Sequence, residues 1–138
     1  MIRHATHADL GALLMLAEQM HGESRFARRR LSLDKLAALF GSLIDSPDGL
    51  VLVAEHAGEI TGGFVGYATE DWMGPDRVAS DLGLFVCPDR RGGMDGLRML
   101  ETFAQWARER GVDRPECGIT TGVNLEASTR LYQLAGFY

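Results

Sequence analysis

The sequence predicts a mixed α/β fold, with a central sheet of about six strands and helices on both faces. Three observations lead to this fold class. Apolar runs of strand length alternate with amphipathic stretches whose apolar residues recur every three or four positions. Turns rich in glycine, proline and aspartate separate these segments. Some neighbouring strands are joined by a tight turn and others through a helix, so the sheet should contain both antiparallel and parallel pairs.

The first two helices are predicted from their capping residues and apolar spacing. After a candidate strand at residues 2–5, Thr6 or Asp9 caps a helix that Gly22 is expected to end. Ser32 can cap a second helix. Each helix has one apolar stripe for burial. The stripe positions are Leu10, Leu13, Leu14, Ala17 and Met20 in the first helix, and Leu36, Leu39, Phe40, Leu43 and Ile44 in the second.

Strands dominate the middle of the chain. Residues 50–54 and 60–69 are apolar and lie on either side of a short turn, which predicts a hairpin. Gly62 and Gly63 are expected to mark a bulge in its second strand. A loop then leads to a further strand at residues 82–86.

The last third of the chain predicts two more helices with a strand between them. Gly111 closes a helix that begins near Leu97, and a strand follows at residues 116–121. Asn124 is suited to cap the final helix, and Gly136 lies where its C-terminal glycine belongs. The two residues after Gly136 begin a sixth strand.

Composition and charge exclude several classes of function. The 138 residues are expected to form one domain, residues 1–138, with its own hydrophobic core. A net charge of −5 argues against nucleic-acid binding. Cys87 and Cys117 fit no metal motif and no disulfide framework, so free thiols in a reducing, cytoplasmic setting are expected. No apolar run is long enough to span a membrane, and no export signal begins the chain.

One segment, residues 81–110, combines a strand, a glycine-rich turn and a helix start. Pro88 ends the strand, and the turn that follows begins at Arg90 and contains three glycines, Gly92, Gly93 and Gly96. The free N–H groups and the dipole of a helix start attract anions, and glycines let the backbone approach a phosphate closely. The segment therefore predicts a phosphate-bearing ligand; a turn that simply needs glycines is the alternative.

Two signatures, read together, resemble the GCN5-related N-acetyltransferase (GNAT) superfamily. The strand and Arg-Gly turn are similar to the family's acetyl-CoA pyrophosphate loop, written as Arg or Gln, two residues, Gly, one residue, Gly or Ala. The later segment with Asn124, Leu131-Tyr132 and Gly136-Phe137 is similar to the family's N…LY…GF ending. The resemblance covers essentially the whole chain and implies the GNAT fold and an N-acetyltransferase that uses acetyl-CoA.

The resemblance also implies which residues bind acetyl-CoA. The loop at residues 91–96 is expected to hold the pyrophosphate, mainly through backbone N–H groups. The backbone of the preceding strand is expected to bind the cofactor arm. The Asn124 amide is expected to contact the pantetheine, with an ordinary helix cap as the alternative. The implied cofactor-binding residues are Leu84, Val86, Arg91, Gly92, Gly93, Gly96 and Asn124.

Two loop residues depart from the family pattern. Met94 stands where the central glycine is usual, and Asp95 stands at a usually apolar position. A side chain at 94 is tolerable if its φ is negative. The Asp95 carboxylate would repel a pyrophosphate unless it is turned away. These departures support an alternative function, a non-catalytic GNAT domain that serves as an acyl-CoA-binding or interaction module.

The resemblance implies direct transfer, in which an amine attacks the thioester while both ligands are bound. Tyr132, at the family's LY position, is the implied acid for the departing thiolate, and a phenol pKa of ~10 suits that role. A tyrosine that only packs its helix is the alternative. Asp81 is the candidate base, with Glu70 and Asp71 as alternatives. Strict strand alternation would place Asp81 on the same face as Phe85.

The acceptor is expected to be the primary amine of a small molecule or peptide. In the family, the first two helices and the loop before the fourth strand set specificity, which points to His21, Glu23 and Trp72. Acidic residues there would suit a cationic amine, whereas the arginines at residues 28–30 would suit an acidic partner or solvent. Relatives continue into one more strand pair, so either the C-terminal strand region is incomplete or an open edge serves a homodimer.

Overall fold

The computed structural model describes residues 1–24, 26–112, 115–116, 133 and 135. A short strand is followed by two helices, then by three longer strands and a third helix. The elements are β1 (Ile2–His4), α1 (Leu10–Glu23), α2 (Leu33–Asp45), β2 (Gly49–His56), β3 (Glu59–Glu70), β4 (Arg77–Val86) and α3 (Asp95–Glu109). Short 3₁₀ turns at His7–Asp9 and Pro88–Arg90 precede α1 and the loop before α3.

The four described strands form one sheet in the order β1-β2-β3-β4, and each adjacent pair is antiparallel. Beyond β4, Ser80 forms a parallel bridge with Glu116. The predicted mixed sheet is therefore confirmed, since antiparallel and parallel pairing both occur. The predicted fifth strand begins at this bridge, and the remainder of that strand, like the final helix and the sixth strand, lies outside the described residues.

The sheet separates two hydrophobic clusters, which confirms helices on both faces. Helix α3 packs Met99, Leu100 and Phe103 against one face, where Phe64 of β3 lies with its ring centroid 4.8 Å from that of Phe103. Helices α1 and α2 pack against the other face. Residues of that second cluster include Leu13, Leu16, Ala17, Phe40, Val51, Val53, Val65 and Phe85.

Capping explains where the helices begin and end. Thr6 and Asp9 form a capping box at the 3₁₀ turn before α1, and the Ser32 hydroxyl accepts from the Lys35 N–H at 3.2 Å. Gly111 adopts φ +81° just after α3, as a C-terminal glycine should. The prediction that Gly22 ends the first helix is wrong, because α1 continues through it to Glu23.

Bulges place the middle strands differently from the sequence prediction. The register pairs Ala54 with Gly62 and Glu55 with Ile60, so Thr61 is the extra residue in β3. The predicted bulge is thus one residue earlier than Gly62. Strand β4 also begins at Arg77, five residues before the predicted start.

The bulge in β4 changes which side chains share a face. The register pairs Val65 with Gly83 and Gly66 with Asp81, which leaves Leu82 unpaired and half exposed. Leu84 and Val86 pack toward α3, and Phe85 packs toward α1 and α2. Asp81 is two residues from Ala79, which also faces α3, so the expectation that Asp81 shares a face with Phe85 is wrong.

In the part of the chain that the structure describes, no helix combines the length and apolarity needed to cross a membrane.

Candidate active site

The outer edge of β4 offers backbone hydrogen-bonding groups near its C-terminal end. The Cys87 N–H donates to the Thr61 carbonyl at 2.9 Å, so Cys87 is bonded toward β3. Because these directions alternate in an antiparallel pair, the N–H and C=O groups of Leu84 and Val86 point to the outer edge. The Val86 carbonyl accepts from Arg91 Nε at 3.0 Å, in agreement with this direction. These are the backbone groups that the sequence predicts for the cofactor arm.

The loop after β4 connects this edge to the N-terminus of α3. Gly92 has φ +89°, a conformation that strains residues with a side chain, so this glycine is required by the loop. Met94 has φ −92°, the negative value at which a side chain is tolerated, and its side chain is 55% exposed. Met94 supplies no side-chain cap to α3. The first-turn N–H groups of α3 are therefore suited to an external acceptor.

Arg91 connects this loop to the end of α1. Its Nη1 and Nη2 atoms donate to the two carboxylate oxygens of Glu23 at 2.8 and 2.9 Å. The bidentate contact raises the pKa of Arg91 and lowers the pKa of Glu23, in each case mainly through the hydrogen bond. Both side chains remain more than a third exposed, so solvent screens the pair. A predicted cofactor residue and a predicted substrate residue are thus in direct contact.

Asp95, the residue that departs from the family pattern, is turned into the protein. It is the first residue of α3 and only 8% exposed. Its Oδ2 lies 2.7 Å from Nε2 of His56, at the end of β2. The side chain of His56 is 29% exposed, and its ring nitrogen donates to the carboxylate. One signal for this contact is visible in the sequence, the acid at the usually apolar position 95, but no signal indicates that His56 would contact it.

Asp81 lies at the β4 bulge and is half buried. Its N–H donates to the Glu116 carbonyl at 3.3 Å, while the Glu116 N–H donates to the Ala79 carbonyl at 2.9 Å. A bulge redirects the side chains around it, and bulges recur next to active sites. Asp81 is thus on the same strand as the cofactor edge, three residues before Leu84, roughly 10 Å along the strand.

The structure brings some predicted residues together and separates others. His21 lies in the last turn of α1, near Glu23, and its Nε2 is buried without a hydrogen-bond partner among the described residues. Trp72 is 90% exposed in the loop between β3 and β4. That loop precedes β4, whereas the Arg91 loop follows it, so Trp72 is roughly 30 Å from the cofactor edge. Tyr132 and Asn124 lie outside the described residues.

Gly93 and Gly96 complete the predicted loop. Gly93 is exposed, and an added Cβ there would meet only the Arg90 carbonyl oxygen, at 3.4 Å. Gly96 is buried in the first turn of α3. The loop therefore tolerates a small side chain at 93 but not at 92, where φ is positive.

Several solved structures share this fold over the whole length of the chain. A mutant of the BH1408 protein from Bacillus halodurans is 21% identical with a TM-score of 0.81, covering 100% of this chain and 92% of that one. A predicted acetyltransferase from Clostridium acetobutylicum, solved with acetyl-CoA, is 15% identical with a TM-score of 0.82, covering 100% and 89%. A structure of AAC(6')-Iy, solved with the bisubstrate analogue CoA-S-monomethyl-acetylneamine, is 17% identical with a TM-score of 0.78, covering 100% and 90%.

These likenesses establish the fold, and the family follows from the sequence itself. No curated protein matches the chain. The profile of the Acetyltransferase (GNAT) family matches residues 14–137, which include α1 to α3 almost completely and the β4 edge with its loop. The resemblance seen in the sequence is therefore confirmed, and the chain belongs to the GNAT acetyltransferase family.

Proposed function

We propose that this protein is an acetyl-CoA-dependent N-acetyltransferase that acts, as a single domain, on the primary amine of a small molecule or peptide. The transfer is direct, with acetyl-CoA and amine bound together. Family membership supports the acetyltransferase class. Acetyl-CoA is present in one structure with this fold, and another carries an analogue that joins CoA to an aminoglycoside. Both complexes are consistent with a CoA thioester and an amine as the two substrates.

One observation carries the proposal: the outward backbone of Leu84 and Val86 leads directly into the uncapped start of α3. An extended amide-containing arm can add to such an edge as a further strand would. The pyrophosphate at its end would then meet the first-turn N–H groups and the partial positive charge of the helix. Gly92 keeps the backbone accessible between these two features. The residues present thus fit both polar parts of the cofactor.

Arg91 adds a full positive charge beside this helix start. Its guanidinium is held near the Val86 carbonyl by the Nε contact, while its two terminal nitrogens hold Glu23. A pyrophosphate competes well for such a bidentate donor. The contact of Arg91 with Glu23 is expected to be weaker than its contact with a pyrophosphate, because a solvent-exposed ion pair contributes little free energy. Arg91 is therefore expected to exchange Glu23 for the cofactor.

The proposed acetyl transfer uses two groups that carry protons, Asp81 and Tyr132. The neutral amine nitrogen attacks the thioester carbonyl carbon, a C–N bond forms, and the C–S bond breaks. Asp81, directly or through water, first removes a proton from the substrate ammonium group so that the neutral amine can attack. The Tyr132 hydroxyl gives a proton to the thiolate, and the resulting phenolate regains one from the nitrogen of the new amide. The mid-strand position of Asp81 on the cofactor strand supports its role. The role of Tyr132 is supported by its place in the family's LY signature.

The competing function, a non-catalytic module, is not favoured by the loop geometry. It depended on Met94 and Asp95 as obstacles to the pyrophosphate. The backbone of Met94 has a negative φ, and its side chain is exposed. The carboxylate of Asp95 is bonded to His56. Neither residue obstructs the start of α3 in the way that the sequence alone suggested.

Calorimetric titration with acetyl-CoA tests the proposal first. We expect saturable binding, and absence of binding at millimolar ligand would contradict it. A screen of polyamines, amino acids and aminoglycosides, read as CoA release, then identifies the acceptor. Measurable cofactor binding without turnover on any amine would instead support the non-catalytic module.

Tyr132→Phe tests the assigned acid. We expect turnover on an accepted amine to fall by ~10²-fold or more, because the variant cannot protonate the thiolate. Acetyl-CoA affinity should stay nearly unchanged. Unchanged turnover in this variant would remove Tyr132 from the mechanism.

A further inference from the structure

The start of α3 contains an acid that the proposed ligand should not tolerate. Asp95 is the first residue of the helix, directly beside the N–H groups assigned to the pyrophosphate. A carboxylate is itself stabilised at a helix N-terminus. If it were free to rotate, it would compete with the phosphate for the same donors and would also repel its charge. Something must hold this carboxylate elsewhere.

His56 provides that restraint from the neighbouring strand. Along β2, alternation places His56 on the same face as Leu52 and Ala54, which pack in the cluster with α3. Its ring therefore lies on the side of α3 that faces the sheet, and its Nε2 is 2.7 Å from Asp95 Oδ2. The pair is largely withdrawn from solvent, with side-chain exposures of 29% and 12%. This burial makes the contact more persistent than an exposed one.

Within the described part of the chain, the other charges near this pair are already engaged or face solvent. Glu55, next to His56, is bonded to Arg3 at 2.6 Å. Glu59 is the register partner of His56 and is exposed. Arg98, one turn into α3, is exposed too. His56 is thus the side chain that the structure places in contact with the Asp95 carboxylate.

We propose that His56 is a positioning residue for acetyl-CoA binding: it holds the Asp95 carboxylate away from the first-turn N–H groups of α3, so that these groups stay available to the pyrophosphate. The inference rests on the proposed function, since it concerns the same cofactor. It assigns no contact between His56 and the cofactor. It also explains how a loop with an acid at position 95 remains compatible with a phosphate ligand.

Four variants test this role through acetyl-CoA affinity, measured by calorimetry. His56→Leu removes the restraint and should weaken binding about tenfold, equivalent to ~1.4 kcal/mol. His56→Gln keeps an N–H donor and should stay near the wild-type value. Asp95→Asn removes the charge and should bind at least as tightly as wild type. The double variant His56→Leu with Asp95→Asn should recover the affinity lost in His56→Leu, because no carboxylate then remains to be restrained.

A matched control is present at the other end of the molecule. Nε2 of His7 lies 2.7 Å from Asp45 Oδ1, the same chemistry and distance, between the turn before α1 and the end of α2. His7→Leu should leave acetyl-CoA affinity unchanged. Thermal unfolding of every variant separates loss of the restraint from loss of folding, and turnover at saturating acetyl-CoA should change much less than affinity.

The outcomes distinguish the two proposals. If the wild-type protein does not bind acetyl-CoA, the proposed function fails, and this inference with it. If wild type binds, the inference alone is overturned by unchanged affinity in His56→Leu, or by a double variant as weak as His56→Leu. Should His56→Leu not fold, Asp95→Asn decides, because a tenfold loss there would mean that the carboxylate supports binding rather than opposing it.

Discussion

The two ends of α1 are held by the same kind of interaction, an arginine paired with a carboxylate, but in different surroundings. At the N-terminal end, Arg3 bonds both oxygens of Asp9, at 2.8 and 3.0 Å, and also reaches Glu55. The Asp9 side chain is 9% exposed. At the C-terminal end, Arg91 bonds Glu23, and both side chains are over a third exposed. Burial makes the first contact part of the fold and leaves the second exchangeable.

The network around Asp9 shows why the first contact is permanent. One Asp9 oxygen also accepts from the Thr6 N–H at 2.8 Å, so the carboxylate connects β1, the turn before α1 and, through Arg3, β2. Hydrogen bonds from Arg3 lower the pKa of Asp9. No substrate is needed to complete this network. Glu23, in contrast, is proposed to lose Arg91 as its partner when the pyrophosphate binds.

The largest expected effect is on stability, at the buried end. Asp9→Asn should lower the free energy of unfolding by about 2 kcal/mol, because it leaves the Arg3 charge without its main partner. Chemical denaturation measures the change, and acetyl-CoA affinity should not move. Glu23→Gln is the matched control, with the same amide change at the exposed end. Equal losses of stability in the two variants would contradict the comparison.

The pH dependence of that loss follows from the lowered pKa of Asp9. The contribution is complete above the unfolded-state pKa, near ~3.9, and is lost as pH falls through the lower folded-state value. The stability difference between wild type and Asp9→Asn should therefore shrink in strong acid. A stability difference that grew as pH fell would contradict this expectation, because it would mean that folding raises the pKa of Asp9.

The next effect is on cofactor affinity, at the exposed end. Arg91→Gln should weaken acetyl-CoA binding about tenfold, since it removes the charge that we propose faces the pyrophosphate. Arg90 is an exposed neighbour, so Arg90→Gln removes the same amount of charge but should lower acetyl-CoA affinity much less. Calorimetry compares the two. Equal losses would mean that general charge, and not the placement of Arg91, attracts the cofactor.

The backbone conformation of the loop should affect acetyl-CoA affinity somewhat less than the charge of Arg91 does. Gly92→Ala places a side chain at φ +89°, which costs of order 1 kcal/mol and should be relieved by a change in the loop. Acetyl-CoA affinity should fall a few-fold as a result. Gly93→Ala is the control, because its added Cβ meets only the Arg90 carbonyl oxygen at 3.4 Å. A stronger effect at 93 than at 92 would contradict this account of the loop.

The smallest expected effect is that of Glu23→Gln on acetyl-CoA. Releasing Arg91 from its carboxylate should tighten binding by a few-fold, and thermal stability should hardly change, as for most exposed pairs. The effect should decrease at high salt, which screens the pair in wild type. Titrations at low and high salt measure both. Weaker binding in this variant would mean that Glu23 orients Arg91 for the cofactor.

Local features of the fold could be predicted from the sequence because a few neighbouring residues determine them. The Ser32 cap, the Gly111 helix end and the two-sided arrangement of helices depend on capping chemistry and apolar spacing. The start of β4 at Arg77 could not be predicted in this way. Its first half contains small and polar residues with weak strand preference, and the bulge at Leu82 interrupts the alternation that would reveal it.

The site was predictable only in part, for the same reason. The loop signature predicted cofactor roles for Arg91 and Gly92, which stay predictions, and backbone alternation in β4 agrees with an outward-facing edge at Leu84 and Val86. The partners of the charged side chains are distant in sequence: 68 residues separate Arg91 from Glu23, and 39 separate His56 from Asp95. Nothing local encodes such contacts, because they exist only once the sheet has brought its two ends together.

The contact between Glu23 and Arg91 has a consequence for the order in which substrates bind. While the arginine holds Glu23, a cationic amine that approaches the end of α1 finds a neutralised carboxylate. In the proposed function, the pyrophosphate would take Arg91 from Glu23 and so free that carboxylate. We therefore expect an ordered kinetic mechanism, with acetyl-CoA leading and the amine following, and amine affinity that rises when CoA is present. Product-inhibition patterns and amine titrations with and without CoA would reveal that order.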